Sequence, residues 1–224
     1  MRSGIPQLLS FNAGYVDTAG FMALQGLFTA HVTGNFVTLG AALVQGSSGV
    51  VAKLLALPVF CAVVVATRLA TASQQLAPRT PVRAMMVAKL VLLTLGATLA
   101  IGYGPFQHGD SVEAVITGMV LVAAMAVQNA LSRAHLTTSP PTTLMTGSTT
   151  QLMIDVADLL RGGGGEAAVA TRARLRKISG VIMTFALGCM AGATAVHFMA
   201  TWCFAVPPLL ALVSAVDALV SPEG

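Results

Sequence analysis

The stretch HVTGNFVTLGAAL (residues 31–43) joins a small polar turn to an apolar run. The stretch LMTGSTTQLMIDV (residues 144–156) repeats that order, and its Thr146 lies 113 positions after Thr33. As helices of about 13 residues at about 1.5 Å per residue, both runs would reach about 20 Å, short of the roughly 30 Å hydrocarbon core of a bilayer. The sequence therefore predicts two apolar helices that enter a membrane without crossing it.

The composition predicts a membrane protein of the all-α class. Hydrophobic residues make up 55% of the 224 positions and charged residues 9%, whereas about a quarter of the residues of an ordinary soluble domain are charged. Such a chain cannot cover a water-facing surface, so the lipid bilayer is the expected partner. The net charge of +4 does not indicate nucleic acid, because the basic residues flank apolar runs, where they set the orientation of spans.

Eight apolar segments can be marked along the chain. The first is expected to be a retained span, because no cleavage pattern for a signal peptide follows it. The second and the sixth are the two short ones, and the other six are long enough to cross. The segments are 7–28, 34–46, 50–71, 84–104, 112–132, 147–160, 178–199 and 202–220.

The charged loops predict the topology. Arg79 and Arg83 lie in one loop and five Arg or Lys residues lie within 161–177, whereas the loop at 105–112 has neither Arg nor Lys. Basic loops face the cytoplasm, but three crossings would put these two loops on opposite sides. Segment 147–160 should therefore re-enter from the cytoplasm, and segment 34–46 from the outside. This gives six transmembrane helices, two re-entrant half-helices and two cytoplasmic termini.

The order span, re-entrant piece, span, span occurs twice. A single membrane domain (1–224) then contains repeat 1 (about 7–105) and repeat 2 (about 111–221), and Asp17 aligns with Asn129 at an offset of 112. Each half has three crossings, an odd number, so the second half is inserted upside down. Such inverted-topology repeats are typical of many transporters and channels.

Two motifs carry a resemblance to a known family. AGYVDTAGFMALQGLFTAHVTGNFVTLGAAL (13–43) and AAMAVQNALSRAHLTTSPPTTLMTGSTTQL (123–152) resemble the YoaK family of bacterial membrane proteins, and the similarity extends over roughly 7–215. The resemblance implies a six-span protein of the bacterial inner membrane, and it supplies no substrate. The second motif departs from the first by having Ser148 where the first has Asn35.

The two polar turns are the predicted solute-binding site. Non-helical backbone at membrane depth must be buried in protein or line a polar cavity, so both half-helix N-termini are expected near the membrane centre. A helix N-terminus attracts anions through its dipole and its free N–H groups. The alternative is that the turns only cap their own helices. The predicted binding residues are Thr33, Gly34, Asn35, Thr146, Gly147 and Ser148.

Three further residues are expected to adjust charge or to couple ions at this site. Asp17 and Asn129 lie in the spans that lead into the turns, and an ionisable group within a span suggests a functional site. Asp17 could instead accept hydrogen bonds from extended-chain N–H groups and hold the re-entrant segment in place. His31 could titrate near neutral pH or be an ordinary interfacial histidine.

The ends of the sixth segment have a simpler interpretation. Asp155 and Asp158 lie close to Arg161 in sequence. We expect a solvated ion-pair cluster at the cytoplasmic surface.

The features together favour a transport protein, either a channel or a secondary carrier, for a small anionic or polar solute. A non-catalytic membrane scaffold or assembly partner is the alternative, and homo-oligomer formation is left open. No motif for an enzyme, a cofactor or a metal site is present. Cys61, Cys189 and Cys203 lack ligand spacing and are predicted to be packing residues.

Overall fold

The computed structural model describes residues 4–72, 80–137, 139–143, 145–162 and 165–220, and within these ranges the chain is helical without strands. The all-α class predicted from the sequence is therefore confirmed. The elements are α1 (Ile5–Ala23), α2 (Gly34–Gln45), α3 (Val50–Ala72), α4 (Thr80–Tyr103), α5 (Val112–His135), α6 (Met145–Leu160), α7 (Glu166–Met199), a 3₁₀ turn (Ala200–Ala205) and α8 (Val206–Val220).

Four stretches of the described residues are long and apolar enough to cross a membrane. The last of them contains α8 and all of α7 except its first two residues. Helix α1 is absent from this set, because Asn12, Asp17 and other polar residues interrupt its apolar sequence. The four stretches are Val50–Thr71, Thr80–Tyr103, Val112–His135 and Ala168–Val220.

The chain leaves helical geometry before each short helix, as predicted. Residues 24–33 are non-helical and α2 begins at Gly34, while the described residues of 136–143 are non-helical before α6. Gln25 and Gly26 adopt positive φ angles of 54° and 84° directly after α1, which prevents that helix from continuing. In the second half the helix begins at Met145, two residues earlier than expected. Thr146, Gly147 and Ser148 are therefore part of the first turn of α6, and the prediction of a non-helical turn at these three residues is wrong.

Helix α7 is longer than predicted. It begins at Glu166, whereas the hydropathy pattern placed the start of this span at 178. The basic residues between 172 and 177 are therefore helical. Ala, Arg, Leu and Lys are strong helix formers, so the segment extends the helix despite its charge.

Helices α1 and α7 pack backbone to backbone. A Cβ atom added to Gly14 would meet the Phe185 carbonyl oxygen, and one added to Gly188 would meet that of Phe11. Gly192 lies against Tyr15 one turn further along both helices. The contacts advance in the same direction along both helices, so α1 and α7 are parallel.

Helix α8 runs antiparallel to α1. The Asn12 side-chain amide donates to the Pro207 carbonyl (3.3 Å), and the Tyr15 hydroxyl donates to the Cys203 carbonyl (2.8 Å). Tyr15 follows Asn12 on α1, but its partner Cys203 precedes Pro207 in the chain, so the two segments run in opposite directions. These buried bonds satisfy polar groups that have no water partner in an apolar interior.

Helix α4 is also antiparallel to α8. The Arg83 guanidinium donates to the Ala218 carbonyl, and Gly104 at the other end of α4 lies against Thr201. Helix α4 therefore points in the same direction as α1. Since α5 packs on α4 after the short loop at 104–111, α5 points in the opposite direction to α1.

The same helix pairings recur in the two halves. Helix α1 packs on α7 as α5 packs on α3, α2 packs on α3 as α6 packs on α7, and α4 packs on α5 as α8 packs on α1. Helices α1, α2, α3 and α4 thus correspond to α5, α6, α7 and α8, and each pair in one half has its counterpart in the other. This arrangement brings the two non-helical segments into the same region of the molecule.

Candidate functional site

Asp17 anchors the non-helical segment that follows α1. It is 4% exposed, and its Oδ1 accepts from the backbone N–H groups of Thr29 (2.8 Å) and Ala30 (2.7 Å). Its Oδ2 lies 2.8 Å from His31 Nδ1. A single carboxylate thus satisfies several donors that a non-helical segment would otherwise leave unpaired. In this structure the contacts of Asp17 hold the non-helical segment 24–33 against α1.

The equivalent position in the second half makes an equivalent but uncharged link. The Asn129 side-chain amide donates to Thr143 Oγ1 at 2.8 Å, and this pair spans 14 residues, as the Asp17–His31 pair does. Next to it, Gln128 donates to Thr142 Oγ1 at 3.0 Å. Both halves therefore fasten their non-helical segment to the preceding helix at corresponding positions.

Two of the six predicted binding residues hold the first turn together. Asn35 is 1% exposed; its side chain accepts from the Phe28 N–H (2.9 Å) and donates to the Phe28 carbonyl (2.8 Å). A Cβ atom on Gly34 would lie 3.0 Å from the Phe28 ring. The N–H groups of Gly34 and Asn35 donate to the carbonyls of His31 and Val32, so their hydrogen-bonding capacity is used within the turn.

The other four predicted binding residues line one cavity. It has a volume of about 970 Å³, at the upper end of the range for small-molecule pockets. His31 and Thr33, which directly precede α2, and Thr146, Gly147 and Ser148, in the first turn of α6, contribute to its wall. The lining residues are His31, Thr33, Arg133, Thr137, Ser139, Pro140, Pro141, Met145, Thr146, Gly147, Ser148, Gln151, Ala170, Ala173, Arg174, Lys177 and Ile178.

The cavity is electropositive. Arg133, Arg174 and Lys177 line it, and its lining contains neither Asp nor Glu. Within the part of the chain that the structure describes, Arg133 and Lys177 form no hydrogen bond or ion pair. The N-terminus of α6 adds the positive end of its dipole. The lining chemistry therefore favours a negatively charged guest.

Arg174 is shared between the cavity and a buried acid. Its Nε donates to Asp155 Oδ2 at 2.8 Å and its second nitrogen donates to Oδ1, while Gln151 donates to the same carboxylate at 2.8 Å. Asp155 has 0% exposure, so the expected solvated cluster with Arg161 is wrong for this residue. The hydrogen bond from Arg174 holds the pKa of Asp155 below its usual range. This pair fastens α6 to α7.

The basic residues of the cavity were missed as site residues. In the sequence, Arg174 and Lys177 indicate topology, because Lys and Arg accumulate on the cytoplasmic side. Their spacing of three residues places them on one face once the segment is helical. The hydropathy pattern did not show that α7 already starts at Glu166, and this early start is what makes Arg174 and Lys177 helical.

No metal site is visible in the described ranges, since no group of three or more His, Cys, Asp or Glu side chains is placed to hold an ion. The polar side chains around the cavity are instead hydroxyls, one amide, a histidine and cations, set among apolar side chains. Such groups are hydrogen-bond donors that suit an anion.

The described chain has four stretches that are long and apolar enough to span a membrane. Its helices pack through glycine residues, and a cavity lined by three cations lies where the starts of α2 and α6 meet. These features indicate a helical membrane protein. Residues 5–216 match the model of the DUF1275 family, whose description is protein of unknown function, and the chain belongs to that family. The resemblance to the YoaK family stays a prediction. Neither the curated proteins nor the solved structures contain a match.

Proposed function

We propose that this protein is a membrane transport protein, a channel or a secondary carrier, that binds a small anion in the cavity where the starts of α2 and α6 meet. One observation carries the proposal: Thr33, just before α2, and Thr146, Gly147 and Ser148, at the start of α6, are separated by more than a hundred positions and line a single electropositive cavity. A cavity of this kind at the meeting point of two broken segments is typical of transporter substrate sites.

The cavity residues have distinct roles in this proposal. The hydroxyl groups of Thr33 and Thr146 donate hydrogen bonds to the anion, and Arg133 and Lys177 balance its charge. Gly147 has open space where a Cβ would be, so the anion can approach the first turn of α6. The neutral polar solute that the sequence also allowed is less well matched, because Arg133 and Lys177 line the wall without an ion-pair partner among the described residues.

The proposed topology is six spans with α2 and α6 re-entering, both termini in the cytoplasm and the halves inverted. The opposite directions of α1 and α5 and the recurring helix pairs support it, and so does the distribution of Arg and Lys. The bacterial inner membrane is the proposed location. The cavity, with its basic lining, then opens toward the cytoplasm.

Cysteine labelling in intact cells tests the topology. The three native cysteines are free, so they are first replaced. We expect a cysteine at His108 to react with a membrane-impermeant maleimide added from outside, and a cysteine at Arg172 to react only after permeabilisation. Labelling of the Arg172 position from outside would overturn the proposed orientation.

Anion flux into proteoliposomes tests the function. The screen uses chloride, nitrate, sulfate, phosphate and small carboxylates, with and without a pH gradient. Gly147→Val places two methyl groups at the cavity wall without a clash in the fold, and we expect it to reduce flux at least about tenfold, the effect of losing about 1.4 kcal/mol of binding. Gly40→Val is the matched control, because Gly40 also has open space around it but lies on α2 away from the cavity.

A membrane scaffold is the competing function. It predicts that no anion moves in the screen and that Gly147→Val and Gly40→Val behave alike. Equal flux through both variants would therefore exclude the cavity as the transport site, and absence of flux in the unmodified protein would favour the scaffold.

A further inference from the structure

Lys89 is a buried amine that the proposed binding site does not use. It lies in α4, it is 1% exposed, and it is among the largest fully buried side chains of the protein. Its Nζ has no hydrogen-bond partner in the described structure. Burying an ammonium group without a partner is costly, so this environment favours the neutral amine.

A second unpaired polar atom faces the same layer. Leu121 of α5 packs directly on Gly96 of α4. Seven residues are about two helical turns, so Lys89 lies on the same face of α4 as Gly96, and Gln128 lies on the same face of α5 as Leu121. Because the two helices are antiparallel, seven positions back on α4 and seven positions forward on α5 lead to the same level of the interface. Gln128 has 0% exposure, and its Oε1 also lacks a partner. The α4–α5 interface thus holds a donor and an acceptor that are both unsatisfied.

Gln128 connects this layer to the cavity wall. Its amide nitrogen donates to the Leu9 carbonyl (2.9 Å) and to Thr142 Oγ1 (3.0 Å). Thr142 lies in the non-helical segment 139–143, and Ser139, Pro140 and Pro141 of that segment line the cavity. A change in the Gln128 side chain therefore acts on the wall of the proposed binding site.

The ionisable groups of the elements packed on α4 are not hydrogen-bonded to Lys89. On α8, Asp217 adjoins the Ala218 carbonyl that accepts from Arg83, towards the N-terminal end of α4. Cys203 of the 3₁₀ turn contacts Tyr15 near the other end. On α5 the ionisable groups lie near the helix ends and are Glu113, Arg133 and His135.

We propose that Lys89 is the proton-binding site that couples this transporter to a proton gradient. A proton taken up from water through the cavity adds to the Nζ lone pair, and the resulting ammonium turns to the unpaired Gln128 Oε1. Gln128 then reorients its amide and alters its bond to Thr142, which shifts segment 139–143. The proton leaves to water when the cavity faces the other side.

The coupling has a physical purpose that rests on the proposed anion transport. Moving one negative charge into a cell works against the inside-negative membrane potential. A proton that travels with the anion cancels this charge. A titratable amine that is linked to the cavity wall through Gln128 and Thr142 but does not line the cavity can carry the proton without occupying the anion site.

The test reads the protonation through the cavity wall and needs no solute. A bimane fluorophore is attached to Ser139→Cys, with Thr137→Cys as a second reporter position, in the full-length protein reconstituted in nanodiscs without its native cysteines. We expect its emission to change sigmoidally between about pH 5 and about pH 9, a range in which buried lysines titrate. Lys89→Met and Gln128→Leu should abolish the change. Lys89→Met should still fold, because a hydrophobic side chain of similar volume replaces an unpartnered amine.

Lys53→Met is the matched control. Lys53 is also buried, but its ammonium donates to the carbonyls of Gln25 (2.7 Å) and Ser48 (3.1 Å), so its replacement should leave the transition in place. A flat response with Lys89 present, or a transition that persists in Lys89→Met, would overturn the proposal. If no anion moves in the flux screen, the transport function fails, while the fluorescence transition still decides the role of Lys89.

Discussion

Replacing Asp17 with alanine should destabilise the protein through the segment that follows α1. The backbone N–H groups of Thr29 and Ala30, both buried, would lose their acceptor at 2.8 and 2.7 Å. An unsatisfied buried donor costs about 1–3 kcal/mol, so the two together cost about 2–6 kcal/mol. Hydrogen bonds measured in membrane proteins average about 0.6 kcal/mol, so the lower end, about 2–3 kcal/mol, is expected. Asp17→Asn keeps an acceptor oxygen and should lose only about 1 kcal/mol.

The measurement is reversible unfolding by SDS in mixed micelles, followed by the loss of helicity. Asn129→Ala is the matched control, because it removes one neutral bond, to Thr143, at the corresponding position of the other half. Its expected cost is about 1 kcal/mol or less. The anchoring role of Asp17 would be refuted if Asp17→Ala were no less stable than the unmodified protein, or if Asn129→Ala had the larger effect.

Two other changes test the contacts around the site. Arg174→Ala leaves the buried Asp155 carboxylate without its cation and should lower stability in the same SDS titration. Arg172→Ala is the matched control, because Arg172 is exposed like Arg174 but has no part in this pair; equal effects of the two changes would contradict the role of the Arg174–Asp155 pair. Burial raises the pKa of Asp110, but hydrogen bonds from backbone N–H groups lower it by more. The largest of these effects comes from the Val51 N–H, which lies 2.7 Å from Oδ1. A lowered folded-state pKa gives stability that is present above the unfolded-state value and is lost as the pH falls through the folded-state value. Unfolding midpoints should therefore decrease below about pH 4, and Asp110→Asn should remove that part of the decrease; an unchanged acid profile would contradict it.

The helices and the two breaks could be predicted because their signals are local. Apolar runs define helices, and a polar turn followed by a run too short to cross indicates a break. The link from Asp17 was open to two interpretations, since a carboxylate in a span can be functional or structural. Only the positions of the N–H groups of Thr29 and Ala30 distinguish them.

The composition of the cavity could not be predicted, because it depends on helix packing. Asn35 looked like a ligand for a solute, but its side chain pairs with both backbone groups of Phe28. Lys177 looked like a topology signal, but the extension of α7 brings it to the cavity. Both contacts join residues that short sequence windows do not relate to one another.

The partners of α1 have a consequence for how the chain is made. Ser10, Asn12 and Tyr15 donate to carbonyls that lie 171, 195 and 188 residues later in the chain. A ribosome adds about 5–20 residues per second, so these side chains wait on the order of ten seconds or more for their acceptors. Helix α1 is too polar to rank among the apolar spans, so in the proposed topology we expect it to be retained by the insertion machinery or at the membrane surface during that time. Its final placement would then be a late step of biogenesis, completed only when the last helices arrive.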